Sequence, residues 1–435
     1  MKAKMRTLIA IFSSLFLAAA LTSCDDLRSI LDPDMETPTA PTLKIGIIQP
    51  SQYYIGFLHA AELARQEINA GGGVLGRQIE FVMRDNQGSD IFPTPEKTIE
   101  AAHDLIANEG VAAILGPIFS TNSIAMGNAL TEAGLAVPLL PGSTSPVVTQ
   151  THSHFVLAAS NNHLHATVLA QFAAMELGAE TVGVSLQAGD VYSEVVTRAF
   201  VDDFRSVGGN VSSIASYEVG TRDLSAQIQV LMDDNPDAIF LPSFAPEAPL
   251  FIQQARAAGY EGVFIGADGW DDALQFYSTL DDNAPLNGSY YTTNYFPGGD
   301  DPTANAFGDA FMSAYGVIAD GIAANGYDSL MLLAKAIEAA GGGETHDGMD
   351  DGMYGDDSMM SMEMPHADAV LDALVSIEGY RGATAISHFD ENRMAVKDLI
   401  ILKIQDGMPT FHSIWTNMQG GEGNGGGYDD GNPNE

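Results

Sequence analysis

Cysteine is almost missing: 435 residues hold one, Cys24. A disulfide within the chain is therefore excluded, as is any site needing several thiolates. Basic residues are scarce too, 18 lysines and arginines against 57 aspartates and glutamates, a net charge of −39 with histidine neutral. Such a chain is repelled by nucleic acid and by anionic membrane surfaces. Acid spread along the whole length also fits a surface kept soluble in high salt. Long apolar runs are rare. The most prominent, Leu8 to Leu21, is broken only by Ser13 and Ser14 and falls short of the roughly 20 residues a membrane-spanning helix needs. The catalytic signatures GxxxxGK[ST], HExxH and GxSxG do not occur.

What is present begins at the N-terminus. Lys2, Lys4 and Arg6 precede the apolar run, which ends at small residues, the layout of a secretory signal. The stretch Leu21-Thr22-Ser23-Cys24 resembles a bacterial lipobox, in which cleavage precedes the cysteine and its sulfur takes the lipid. Residues 1–23 are then a signal peptide and Cys24 is the lipidation site. The other reading is an ordinary signal with an incidental cysteine. Cleavage before Cys24 takes three basic residues and no acid, leaving 15 against 57, a balance of −42. Residues 24–42 read as a polar, proline-containing tether.

From Leu43 onward short β-rich runs alternate with longer amphipathic segments. LKIGIIQ (43–49), IEFVMRD (79–85), VAAILG (111–116) and LAVPLLP (135–141) form one series. TVGVSLQ (181–187), VSSIASY (211–217), DAIFLPS (237–243) and GVFIGA (262–267) form a second. Strands alternating with helices predict parallel sheets wound on both faces, and two successive series predict two lobes. Two segments lack any period: 341–366, rich in Gly, Asp and Met, reads as a surface insertion, and 420–435 as an acidic, glycine-rich tail.

Few residues point to chemistry. His152, His154, His163 and His165 form two HxH pairs, a spacing that places ligands on one face of a strand. No cysteine joins them, so surface or hinge histidines are expected and no metal is assigned. The methionines and acids of 341–366 likewise read as a solvated insertion rather than a cation site. More informative are three strand ends. ILGPIFSTNS ends a strand at Gly116 and opens a helix near Ser120; LLPGSTSP ends another and opens a helix near Pro146. Ser120, Ser143 and Thr144 thus lie where helix N-termini offer N–H groups and hydroxyls, an arrangement suited to a carboxylate. The third end, FIGADGW, offers Asp268, which can receive an ammonium. An anion site facing a lone carboxylate suits a zwitterion.

At this point a resemblance becomes specific. The segments AAELARQEINAGGGVLGRQIEFVMRDN, PGSTSPVVT, RDLSAQIQVLMDDNPDAIFLPSFAPEAPLFIQQARAAGY and FDENRMAVKDLIILKIQDG are similar to successive elements of the periplasmic leucine/isoleucine/valine-binding protein family. These are the amino-acid receptors of ABC importers, and the likeness runs from Leu43 to about Asn417. It implies an α/β fold of two doubly wound parallel-sheet lobes joined by a multi-crossing hinge, the type I periplasmic binding protein. It further implies lobe one from 43–160 and 292–378, and lobe two from 161–291 and 379–417. Ser120 and Thr144 hydroxyls, with backbone N–H near Ser143, would hold the ligand carboxylate, Asp268 its ammonium, and Tyr192 would reach in from the second lobe. Phe244 stands where the family often has a tyrosine. The first loop, IIQPSQYYIGF, lacks the usual serine-glycine pair, so Tyr53 or Tyr54 is expected to line the side-chain pocket.

The function implied is that of a lipid-anchored, monomeric receptor on the outer face of the cell envelope. It would deliver an amino acid, branched-chain or related, to an ABC permease, without catalysis or cofactor. Two other readings remain: a sensory receptor of the same fold signalling to a membrane partner, and a lipoprotein hydrolase using the strand-end Ser and Asp residues. The hydrolase needs a base near Ser120 or Ser143, and the sequence offers only distant histidines.

Overall fold

Alternate residues of the central strands feed two different hydrophobic clusters, and this fixes the layers. The computed structural model describes residues 42–51, 53–87, 93–299, 301–341 and 364–415. Cys24, most of the tether, nearly all of the 341–366 insertion and the tail lie outside them. In β1 (Leu43–Ile48) the side chains of Leu43, Ile45 and Ile47 enter one cluster while Ile48 enters another. In β3 (Ala113–Leu115) Ala113 and Leu115 join the first of these and Ile114 the second. A strand apolar on both faces needs cover on both, as in doubly wound sheets. With β2 (Ile79–Arg84) and β4 (Leu139–Leu140) these strands make an all-parallel sheet in the order β2-β1-β3-β4. Its helices are α1 (Ile55–Ala70), α2 (Pro95–Asp104) and α3 (Ser120–Ala133), followed by the single turn α4 (Val147–Thr151).

The second sheet repeats the logic. Its strands are β5 (Thr181–Gln187), β6 (Asn210–Tyr217), β7 (Ala238–Phe240), β8 (Val263–Gly266) and β9 (Tyr290–Thr293), all parallel. Ala238 and Phe240 point into one cluster and Ile239 into the opposite one. Helices α5 (Asn162–Gln171), α6 (Val191–Ser206), α7 (Ser225–Met232) and α8 (Glu247–Ala257) accompany these strands. After β9 the chain returns to the first lobe, where α9 (Pro302–Tyr315), α10 (Gly321–Gly341) and α11 (Ala367–Val375) bury Phe311, Leu330 and Leu374 in its core.

Two small hairpins follow, β10 with β11 (Tyr380–Arg381, Ala385–Ile386) and β12 with β13 (His388–Phe389, Ala395–Val396). They bury Tyr380, Ile386 and Phe389 in the first lobe's cluster. The expected second lobe includes 379–417; within that segment these hairpins pack on the first lobe's cluster, and the strands that pair with the second sheet come after Val396. Only β14 (Leu399–Gln405) and β15 (Met408–Trp415) extend the second sheet, antiparallel, to the order β6-β5-β7-β8-β9-β14-β15. Within the two large sheets, among the described residues, that edge is the only antiparallel pairing.

The crossings are stitched together by side chains. Ser160 N donates to Asn294 Oδ1 at 3.1 Å and Asn294 Nδ2 returns to Ser160 Oγ at 3.0 Å. Arg393, at the tip of the second hairpin, donates to the carbonyls of Phe155 and Thr149. Beside the third crossing, Lys397 is buried, its Nζ 2.8 Å from the Thr384 hydroxyl, which in turn donates to Asp328. Burial lowers the Lys397 ammonium to about 8, and Asp328 works against that shift.

Candidate functional site

The C-terminal ends of the strands in both lobes converge on one small cavity. It is lined by Tyr54, Ser120, Ser143, Thr144, Tyr192, Phe244 and Asp268, together with Ile118, Phe119, Gly142, Gly269 and Ile322. Seven of the eight residues singled out from sequence therefore meet in one place. The exception is Tyr53, buried beside the cleft but not lining it; its burial, with the Glu247 carboxylate adding to it, raises its phenol.

On the first lobe, β3 ends at Leu115 and the chain turns at Gly116, whose φ is 88°. A Cβ there would lie 2.1 Å from the Ile48 carbonyl oxygen, so only glycine permits the close pass. The turn delivers Ser120 to the first position of α3, whose opening N–H groups have no intrahelical acceptor. The hydroxyls of Ser120 and Thr144 carry no hydrogen bond among the described residues, although both side chains are buried. Ser143 differs. Its Oγ donates to the Ile118 carbonyl at 3.0 Å and sits 2.6 Å from Ser123 Oγ, so its hydroxyl serves the loop rather than the cavity.

On the second lobe, Asp190 caps α6 by accepting from Ser193 N, and Tyr192 stands in its first turn. Tyr192 Oη donates to Asp268 Oδ1 at 2.9 Å and accepts from Gly269 N at 2.7 Å. Gly269 has no room for a side chain: a Cβ would lie 2.8 Å from the Ser243 carbonyl and 2.9 Å from the Tyr192 hydroxyl. Burial, reinforced by Asp268, holds the Tyr192 phenol well above its ordinary value, so it remains a donor at neutral pH. The other Asp268 oxygen has no hydrogen bond among the described residues. Phe244, Tyr54 and Phe119 complete an aromatic wall, with Phe119 edge-on to Phe244 at 5.1 Å and Tyr54 edge-on to Phe119 at 5.4 Å.

The lobes are closed on each other. Tyr54, in left-handed conformation with φ 52°, donates from its hydroxyl to the Gly269 carbonyl at 3.0 Å and from its N–H to Asp272 at 3.1 Å. At the cleft mouth the Thr121 hydroxyl donates to Asp190 and accepts from Val191 N, both at 3.1 Å. Phe119 and Ile322 were missed in the sequence. Phe119 adjoins Ser120 and had a local signal, but Ile322 is brought in by α10, more than 170 positions after the Thr144 loop, and had none. The HxH histidines are consumed by the fold: His152 bonds the Leu135 carbonyl and His165 the Thr292 hydroxyl. Among the described residues no group of three or more His, Cys, Asp or Glu is placed to hold a metal.

Neither Ser120 nor Ser143 bonds a histidine or a carboxylate among the described residues, so the base that activates a serine nucleophile is not in place beside either hydroxyl. The chain belongs to the periplasmic binding protein family, whose model matches residues 42–408. Its relatives are named as binding proteins, not enzymes. One is the Leu/Ile/Val-binding protein BraC3 of Rhizobium johnstonii, 24% identical over 310 residues that span 69% of this chain and 80% of that one. Another is the leucine-specific-binding protein of Salmonella typhimurium, 23% identical over 63% of this chain and 69% of that one. Among solved structures, the leucine binding protein LivK of Thermotoga maritima superposes with TM-score 0.74 and 27% identity, over 86% of this chain and 99% of that one. A Rhodopseudomonas palustris solute binding protein in complex with benzoate shares the fold, with TM-score 0.71, 18% identity and coverage of 86% and 96%.

Proposed function

We propose that this chain is an extracytoplasmic receptor that captures an α-amino acid, branched-chain or a close relative, between its lobes and delivers it to an ABC permease. The observation that carries the reading is the pairing of opposites around one cavity. The unbonded hydroxyls of Ser120, at the start of α3, and of Thr144, in the loop before α4, line one side, and the Asp268 carboxylate, held by Tyr192, lines the other. A zwitterion bridging them satisfies both lobes at once and favours the closed form over the open one, which is how a ligand shifts a hinge equilibrium. Phe244, Phe119 and Tyr54 offer an apolar surface to its side chain. Relatives named for leucine, isoleucine and valine point the same way. Lipidation at Cys24, following a signal of 23 residues, would tether the receptor at the envelope beside its permease.

The test is calorimetry with leucine, isoleucine and valine set against 4-methylpentanoate, which lacks the ammonium, and benzoate. The expected order is amino acid well above either acid. Equal binding of leucine and 4-methylpentanoate would show that Asp268 holds no ammonium and that the ligand is a simple anion.

A further inference from the structure

A second and larger cavity, of about 350 Å³, lies against the interlobe crossing and shares no lining residue with the first. Its walls are Tyr277, Tyr291 and Met408 from the second lobe, Met312 and Ile318 from the first, and Phe296 from the crossing itself. Met312, Ile318 and Met408 are 40–47% exposed, an apolar rim left open to solvent. The lining contains no lysine, arginine or histidine, and two carboxyl groups, Asp271 and Asp320.

These carboxyls also tie the lobes together. Gly321 N of the first lobe donates to Asp271 of the second, and Ala273 N of the second donates to Asp320 of the first, at 3.0 and 2.9 Å. The Thr293 hydroxyl donates to the same Asp271 oxygen as Gly321 N. Asp271 is only 4% exposed, and its other oxygen, Oδ1, has no hydrogen bond among the described residues. An apolar cavity of this size with two carboxyl groups in its wall selects among ligands by their polar end. A hydrocarbon offers the two carboxyls neither a donor nor a charge. An alcohol brings a donor without charge, and an ammonium brings both.

We propose that this cavity is a second ligand site, for a small hydrophobic amine whose ammonium sits on Asp271 and Asp320 and whose hydrocarbon packs against Tyr277, Met312 and Met408. Because residues of both lobes line it, its occupant favours the closed form. The amine and the cleft ligand then raise each other's affinity by the same factor. The titratable groups around Asp271 include Asp320, Asp268, Tyr54, Tyr277 and Tyr291; burial first, then the Asp320 charge, raises its carboxyl well above the ordinary range. Uptake of an ammonium therefore expels a proton.

The site is tested by titrating the full chain with hexylammonium, hexan-1-ol and hexanoate, each in two buffers of different ionisation enthalpy. Hexylammonium should bind at millimolar concentration or below, with an enthalpy that depends on the buffer, and hexanol about tenfold more weakly. Asp271→Asn should lose about tenfold in affinity for the amine, and Met312→Trp, which crowds the rim from a half-exposed position, should block it. Asp268→Asn, which removes only a neighbouring charge, should cost hexylammonium clearly less than Asp271→Asn does, which separates this site from the cleft. No binding of the amine, equal binding of hexanol, or loss only in Asp268→Asn would each overturn the proposal. None of these outcomes depends on the amino-acid reading of the cleft.

Discussion

The Tyr192 hydroxyl lies between Asp268 and the Gly269 N–H, 2.9 Å from the first and 2.7 Å from the second. Backbone thus orients a phenol, and the phenol orients a carboxylate. The carboxylate reaches the cleft already aimed, so a ligand binding it would not have to order it, and preorganisation of this kind favours affinity.

Asp268→Asn should weaken amino-acid binding by about a hundredfold, on the order of 3 kcal/mol, because it leaves the buried ammonium without its charge partner. Tyr192→Phe keeps that charge and removes one supporting hydrogen bond, so about tenfold is expected. Calorimetry on both variants checks the ranking; a larger loss in Tyr192→Phe would mean that the phenol, not the carboxylate, contacts the ligand.

Ser143 and Ser120 should separate stability from affinity. Ser143→Ala removes a hydroxyl bonded to the Ile118 carbonyl and to Ser123, so about 1–2 kcal/mol of stability should go while affinity changes by less than about threefold. Ser120→Ala and Thr144→Ala should do the reverse, leaving stability nearly unchanged and lowering affinity by about tenfold each. Denaturant melts paired with ligand titrations read both quantities.

Stability should increase on mild acidification. Burial, with the Asp320 charge adding to it, raises the Asp272 carboxyl to about 7, and burial raises Asp320 to about 6. In the unfolded chain both ionise near 4. Their stabilising contribution is complete below about pH 4 and is lost as pH rises through 6 to 7. Going from pH 8 to pH 6.5 should therefore add about 1 kcal/mol through Asp272 alone. From about pH 7 downward an opposing effect grows, because burial lowers His59, His152, His163 and His165, which resist protonation in the fold, so the Asp272 contribution is read as the difference between parent and Asp272→Asn. Thermal melts at pH 8, 7 and 6.5 should show the rise, and Asp272→Asn should flatten it.

Cys24→Ala should move the protein from the membrane fraction to the soluble fraction with ligand affinity unchanged. A mature protein whose mass shows no lipid, or a start other than Cys24, would replace the anchor by simple secretion.

The alternation of apolar runs and amphipathic segments determined the two doubly wound lobes, because a strand buried on both faces demands helices on both. Strand-end chemistry likewise placed Ser120, Thr144 and Asp268, since a glycine turn feeding a helix start is a local event. Tertiary structure decided the rest. Which of two adjacent tyrosines enters the cleft depends on the left-handed backbone of Tyr54, anchored by Asp272 in the other lobe. Whether the Ser143 hydroxyl faces the ligand or the loop depends on Ser123, twenty positions away. The hairpins after Gly379 read as part of the second lobe, yet their buried side chains fill a first-lobe gap against α10 and α11. The assembly of Asp271, Asp272 and Asp320 around the crossing could not be read from any one segment. Periodicity records which face of an element is apolar, but its partner is chosen by packing between segments that only the folded chain brings together.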